Sequence, residues 1–422
     1  MKLRTLIMFI GGSLLNIVAG NLNNWGTISP YIGSYYYHLD HSVSISDFVV
    51  VSPISFASNV FWTAICSFLL KILSPHSIIV LGVTITCTGL FCSSFITNPY
   101  LFCWIFGLSY GMLTGMVFLP TVWIIWNNIS ENKARTSGIL LAFYSLGPAP
   151  FSILFTMIAN PYDDSPETTK SDGIEKEKIF GEFVSYRVPM TIRWMILTYI
   201  ILCVIGLLCL PRKWIPESQN QKIERTMTLN DIIRNGKFWN LLLLTASSMS
   251  NISYVQNTYK IIGMLHINDD HFISFIGSTS FFISSFGRVI YGIILDKYSW
   301  KRVMVITYII EIIFGLTFAA TFNSRFWYGF YIIVFAFLNT SMYNSVMIRT
   351  TKDFEKDKWV FNFVSSGMII AFTIPYVFEK TVTPYIGYFW TFIIITGITI
   401  IAMFQSIFHP IEDEKYQILE QR

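Results

Sequence analysis

The sequence is short of charge. Only 13% of its 422 residues are Asp, Glu, Lys or Arg, about half the share found in ordinary soluble domains. That deficit over such a length argues against a soluble core. The net charge of +4 comes without a long basic stripe, which removes nucleic acid as a partner. There is no phosphate-cradling GxxxxGK[ST], so no nucleotide drives the protein. GxSxG and HExxH are missing too, and the chain does not read as an enzyme. The six cysteines, 66, 87, 92, 103, 203 and 209, form no CxxC pair and fall in or beside apolar blocks. They read as reduced small apolar residues. His38, His41, His76, His266, His271 and His409 sit at the ends of apolar blocks, so neither a metal nor a cofactor is expected.

What is present is hydrophobic, 53% of residues, with 17% aromatic. The apolar residues come in blocks of about 20, the length that crosses about 30 Å of hydrocarbon as a helix. The alternating segments of about ten residues that mark a barrel are absent. The fold class is therefore an all-α polytopic membrane protein. Twelve spans are expected, at about 5–37, 44–70, 77–96, 99–127, 135–160, 190–210, 237–263, 271–295, 302–321, 326–348, 359–379 and 384–408. The opening MKLRTLIMFIGGSLLNIVAG imitates a signal peptide, but it runs on through Trp25, Pro30 and Tyr31 without a cleavage site and reads as a retained first span.

The chain then divides into an N-terminal bundle of six helices (1–210, including a polar, poorly patterned loop at 161–189), a central linker (211–236), a C-terminal six-helix bundle (237–408) and a tail (409–422). Within the linker, 227–235 fits a short surface helix with Thr228 as its cap and Asp231 in a capping-box position. Lys and Arg concentrate at one set of span ends, among them Lys71, Arg212, Lys213, Lys297, Lys301, Arg302, Arg349 and Lys352. The positive-inside rule then places both termini in the cytoplasm, in a plasma or internal organelle membrane. Six spans plus six around a charged linker is the layout of transporters built from repeated halves with pseudo-two-fold symmetry.

Two cations lie within spans. Arg288 interrupts FGRVIYGIIL about seven residues, roughly 10 Å, from the end of its span. Such a cation needs a cavity or a partner. Its planar fork matches a carboxylate, so it reads either as an anion-binding residue or as half of a structural ion pair with Glu311, the one acid deep in an apolar block. Lys260, near the far end of span 7, either snorkels to headgroups or attracts an anion. Gly292, Asp296, Lys297, Lys301 and Arg302 form a tight charged turn after span 8, with Gly292 permitting close helix approach. Lys71 holds the matching position after span 2. Gly111 and Gly115 in span 4 read as close packing, and Gly147, Pro148 and Pro150 should bend span 5. Tyr31, Phe118, Tyr144 and Tyr343 are candidate pocket walls because they lie near such breaks or polar neighbours.

The turn from Gly292 to Arg302 resembles the signature loop of the major facilitator superfamily, G-x-x-x-D-[RK]-x-G-x-[RK]-[RK], with Ser299 or Trp300 in place of the second Gly. Within that superfamily the order of features is similar to the oxalate/formate antiporters and monocarboxylate transporters. The features are NLNNWGTISPYIGSYY in span 1, G-x-x-x-G-x-x-x-x-P in span 4, the basic-to-SGI entry of span 5, TYKIIG in span 7 and the Arg of span 8. The resemblance implies that Arg288 binds a carboxylate boxed by aromatics, with Phe118, Tyr144 and Tyr343 as candidates. Span 11 has no cation where the oxalate pattern has Lys, and Ser284 and Ser285 stand near Arg288 in place of an acid. One Arg suits a monocarboxylate. The expectation is a secondary transporter of a small organic anion in a lipid bilayer. The alternatives are a structural or sensing subunit without transport, an oxalate-type dicarboxylate exchanger, or a carrier of a neutral polar solute suggested by Asn251, Gln256, Asn257, Asn339 and Asn344.

Overall fold

A computed structural model describes residues 3–128, 133–171, 176–211, 227–355, 357 and 360–410. Most of the linker expected at 211–236 and of the tail at 409–422 lies outside these residues. Among the described residues eleven helical stretches are long and apolar enough to cross a membrane: Leu3–Leu39, Ile45–Leu69, Pro75–Ser93, Pro99–Asn128, Thr136–Ala159, Glu182–Cys209, Asp270–Lys297, Trp300–Thr321, Arg325–Asp353, Val360–Thr381 and Thr383–Phe408. Gly236–His266, of 31 residues, completes twelve. This seventh span is long but polar, since its middle reads SSMSNISYVQN. It stays helical because its hydroxyls and amides bond back one turn, as Ser250 Oγ does to Ala246 O at 2.7 Å and Asn257 Nδ2 to Ser253 O at 2.7 Å. It can be polar because residues 244–264, Gln256 apart, are buried among other helices rather than facing lipid.

The packing repeats between the halves. Spans 1 and 6 pair as 7 and 12 do, 2 and 4 as 8 and 10, 3 and 6 as 9 and 12, and 1 and 5 as 7 and 11. Between the halves, span 5 packs on span 8 and span 2 on span 11, which a two-fold axis exchanges, while spans 1 and 7 meet across that axis. Two six-helix bundles with pseudo-two-fold symmetry follow from this pattern.

The expected close approach in span 4 is present. A Cβ on Gly111 or Gly115 would strike span 2, at Ser55 O and at Asn59 O and the Trp62 Cβ. Span 5 breaks between Leu146 and Pro148, as its Gly-Pro pair predicts. Span 1, expected as a single run over 5–37, is interrupted by a 3-10 turn at Asn21–Asn24. The helix 229–233 forms with its capping box: Asp231 N donates to Thr228 Oγ1 at 3.3 Å and Thr228 N to Asp231 Oδ2 at 2.8 Å. In the loop at 161–189, strand β1 (Thr168–Ser171) pairs antiparallel with β2 (Lys176–Ile179). Glu177 from β2 accepts from Ser44 Oγ at 2.7 Å, Ile45 N at 2.9 Å and Ser46 N at 3.0 Å. A carboxylate on the open N–H groups of the turn Ile45–Val50 is a favourable pairing, and it anchors a loop with little apolar pattern of its own.

Candidate functional site

Span 8 lies along span 5 through its small residues. Ser278 Oγ donates to Ala149 O and Ser285 Oγ to Ala142 O, both at 2.8 Å. One turn further along span 8 stands Arg288, half-buried at the junction of the halves. Its charge is felt by the hydroxyls of Tyr144 on span 5 and Tyr343 on span 10. The ring of Phe118 on span 4 meets Tyr144 edge-on at 5.3 Å. Four expected residues, Arg288, Phe118, Tyr144 and Tyr343, are thus neighbours drawn from both halves. The Nε of Arg288 is buried and has no hydrogen-bond partner, and no carboxylate pairs with the guanidinium among the described residues. A small cavity between spans 7, 8 and 10 is lined by Gln256, Tyr259, Ser280 and Ser284, the last one turn from Arg288.

Lys260 and Tyr31 lie elsewhere, at the end of the molecule opposite the chain termini. Lys260 does not snorkel. Its Nζ is fully buried, 2.8 Å from Asp270 Oδ1 as an ion contact outside hydrogen-bond alignment. It donates to Tyr31 Oη at 2.8 Å and Ser274 Oγ at 2.6 Å, and sits 4.2 Å from the Tyr31 ring centre. Tyr31 in turn donates to Asp270 Oδ2 at 2.5 Å, and Asn160 Nδ2 to the same oxygen at 2.9 Å. This knot ties spans 1 and 5 of one half to spans 7 and 8 of the other. Around it, Gln256 Nε2 donates to Asn23 O at 2.8 Å, Thr27 and Tyr259 share a hydroxyl contact at 2.7 Å, His271 N donates to Asp163 Oδ1 at 2.8 Å and Lys380 pairs with Asp47. Gly26 lets span 1 approach so closely that a Cβ there would strike Gln256 O. Asp270, Asn160 and Ser274 were not singled out from the sequence. The available signal was an acid opening span 8 ten residues past the other in-span cation, at the same membrane face.

Glu311 is not at Arg288. It is fully buried inside the C-terminal half, where Thr399 Oγ1 donates to its Oε1 at 3.5 Å. In the turn after span 8, Asp296, Lys297 and Arg302 are exposed, and Lys301 Nζ donates to Ile407 O at 2.9 Å. The close approach expected of Gly292 is absent: nothing lies where its Cβ would be. Lys71 is exposed, its Nζ 5.6 Å from the Phe68 ring centre. Among the described residues no group of three or more His, Cys, Asp or Glu could hold a metal.

The family model for the Major Facilitator Superfamily matches residues 14–357. The chain belongs to the Major Facilitator Superfamily. Solved structures share this superfamily fold. One is the nucleoside transporter NupG, at 15% identity and a TM-score of 0.68, covering 95% of this chain and 98% of that one. Another is a D-xylose-proton symporter, at 10% identity and 0.71, covering 97% of each. A third is a bacterial homolog of the human lysosomal transporter Spinster in an inward-facing, unoccupied conformation, at 13% and 0.64, again covering 97% of each. No curated protein is matched by this chain. As a superfamily member it is a multi-pass membrane transporter, and identities this low carry the fold alone.

Proposed function

We propose that the chain is a secondary transporter of a small organic anion, a monocarboxylate, working by alternating access of its two halves. Arg288 holds the carboxylate. Tyr144 and Tyr343 supply hydroxyls beside it, and Phe118 supplies an apolar wall. One observation carries this reading: Arg288 has no counter-carboxylate among the described residues, whereas Lys260 has Asp270 and Arg349 has Asp353. A guanidinium at membrane depth is costly unless paired, and a carboxylate completes it with two parallel hydrogen bonds. A single free positive charge favours a monoanion over oxalate, because Lys260 is already neutralised by Asp270. The bound substrate neutralises Arg288 and so eases closure of the cavity around it. That gives exchange an advantage over empty return.

The amides that suggested a neutral solute are partly engaged, Gln256 with Asn23 and Asn257 with Ser253. Both termini are assigned to the cytoplasm by the positive charge at their end. The knot around Lys260 then closes the outer face, and residues 1–210 and 237–408 are the two moving bodies.

The test is counterflow in liposomes with formate, lactate, pyruvate, oxalate, a nucleoside and xylose. Monocarboxylates should exchange, and Arg288→Ala should cut apparent affinity by about 30-fold or more, as expected for removing one partner of a desolvated charge pair. Undiminished carboxylate flux in Arg288→Ala sinks the reading. A protein that moves none of the panel favours a sensing or structural role.

A further inference from the structure

At the end of the molecule opposite the chain termini, strand β2 and the residue after it touch both halves. Glu177 grips the turn Ile45–Val50 of its own half through Ser44, Ile45 and Ser46. Phe180 is fully buried against span 1. Its N donates to Ser34 Oγ at 3.0 Å and its O lies 2.8 Å from His38 Nε2. Its ring stacks on that of Tyr31, 4.9 Å between centres and 10° between planes. Between these anchors the strand reaches the other half. Ile179, also fully buried, packs with Ile45 and Val49 of the N-terminal half and with Ile261 and Tyr376 of the C-terminal half. Lys178 Nζ donates to Asn268 Oδ1 at 2.8 Å, in the turn between spans 7 and 8, and Ser165 Oγ donates to Asn268 O at 3.4 Å.

The two sets of contacts differ in kind. On the N-terminal half they are a carboxylate on three donors, two backbone contacts at Phe180 and a ring stack. On the C-terminal half they are the apolar seat of Ile179 and two exposed hydrogen bonds. Charge-assisted hydrogen bonds are the stronger kind, and those open to water contribute little net. When the halves part, the strand therefore stays with the N-terminal half, and Ile179 leaves Ile261 and Tyr376. The strand also covers the Lys260 knot. Phe180 lies on the Tyr31 ring, whose hydroxyl bonds both Lys260 and Asp270, and neither of those side chains has exposed surface. Water reaching the pair would weaken it, because charges attract less in a high dielectric.

We propose that strand β2 with Phe180 is a strap, carried by the N-terminal half, that seals this end of the transporter by seating Ile179 on the C-terminal half. Closure then has two parts. The knot fixes how the halves meet, and the strap keeps water from the knot. The strength of the Ile179 seat sets how much of the protein is closed at this end. A loop of little apolar pattern can do this because only one side chain has to cross between the halves. The proposal rests on the alternating-access reading above and not on the identity of the substrate.

The experiment measures the distance between spin labels at Thr97 and Asn323, exposed turn residues of the two halves at this end, in the full chain with its six cysteines replaced. Wild type should give mainly a short distance. Ile179→Ala should raise the ratio of long to short by about tenfold or more, as expected for a lost isoleucine seat. Lys178→Ala, which loses one exposed hydrogen bond, should raise it by about threefold at most. Ile261→Ala removes the other side of the seat, so the double variant should shift the ratio by less than the product of the two single effects. Where Ile179→Ala fails to fold, Ile179→Val should still raise the ratio by about threefold. A wild-type ratio in the folded Ile179 variant overturns the strap, as do independent effects of Ile179→Ala and Ile261→Ala. Asp270→Ala, which breaks the knot itself, tells that failure from the other one. If it too leaves only the short distance, the halves do not part at this end and the alternating-access reading fails.

Discussion

Lys260 and Arg288 are cations set within spans, on neighbouring helices, and they have opposite surroundings. Lys260 is enclosed by Asp270, Tyr31 and Ser274 with no exposed surface. Arg288 is half-buried with an unpartnered Nε. Lys260 and Asp270 belong to the same half, and Tyr31 and Asn160 of the other half bond to that pair, so these cross-half contacts belong to one conformation and separate when that end opens. A cation with aromatic neighbours and no acid is available to something that comes and goes. Under the proposed function the contrast separates a latch from a binding site, although both residues look alike in a hydropathy profile.

The largest test of the contrast is to unbalance the latch. Asp270→Ala leaves Lys260 buried and unpaired, and should destabilise the closed form by about 3–5 kcal/mol. Thermal unfolding would show a clear drop, and a cysteine placed at Ser274 should become reactive from the end opposite the termini. Replacing both partners, Lys260→Met with Asp270→Leu, should restore most of the stability, since apolar isosteres often match a buried ion pair. If Asp270→Ala is as stable as wild type, Lys260 and Arg288 do not differ in the way described.

A smaller effect sharpens the other side. Arg288→Lys keeps the charge and loses the planar fork. Losing one charge-assisted hydrogen bond should weaken monocarboxylate half-saturation by about 1.5 kcal/mol, close to tenfold. Equal transport by Arg288→Lys would mean that a point charge suffices and that the fork geometry plays no part.

The smallest effect is a control outside both sites. The Thr228 hydroxyl and backbone N–H hold the exposed Asp231 carboxyl below its usual range. A group whose folded value is depressed stabilises above its unfolded value, near 4, and loses that contribution as pH falls through the folded one. Amide exchange over 229–233, corrected for its intrinsic rate, should therefore speed up in acid. Asp231→Asn should remove this dependence without touching the response of either cation site.

Much of the architecture was legible in the chain. Block length marked the spans, the Gly-Pro pair marked the break in span 5, and Thr228 with Asp231 marked a cap. These are local signals, carried by residues within one or two turns. Span 7 was read as a span despite its serines and asparagines, and the structure shows why it tolerates them. The misses are non-local. Asp270 looks like a loop acid until span 7 is placed beside span 8. Glu311 looked like a partner for Arg288 on the basis of similar depth, but depth says nothing about which side of a helix faces which neighbour. Gly292 matched a motif position, yet no helix approaches it here. The hairpin at 168–179 had no alternating apolar pattern to announce it, because what anchors it is Glu177 on a helix end far along the chain.

The sequence alone determined that this protein crosses a membrane about twelve times, in two halves, with a permanent cation in span 8. Hydrocarbon thickness and the hydration cost of charge act on each segment separately, so composition suffices for that. Only the tertiary structure decided which cation was already spoken for. Pairing depends on helix rotation and on contacts between the halves, and those are set by the packing of all twelve spans together rather than by any one of them.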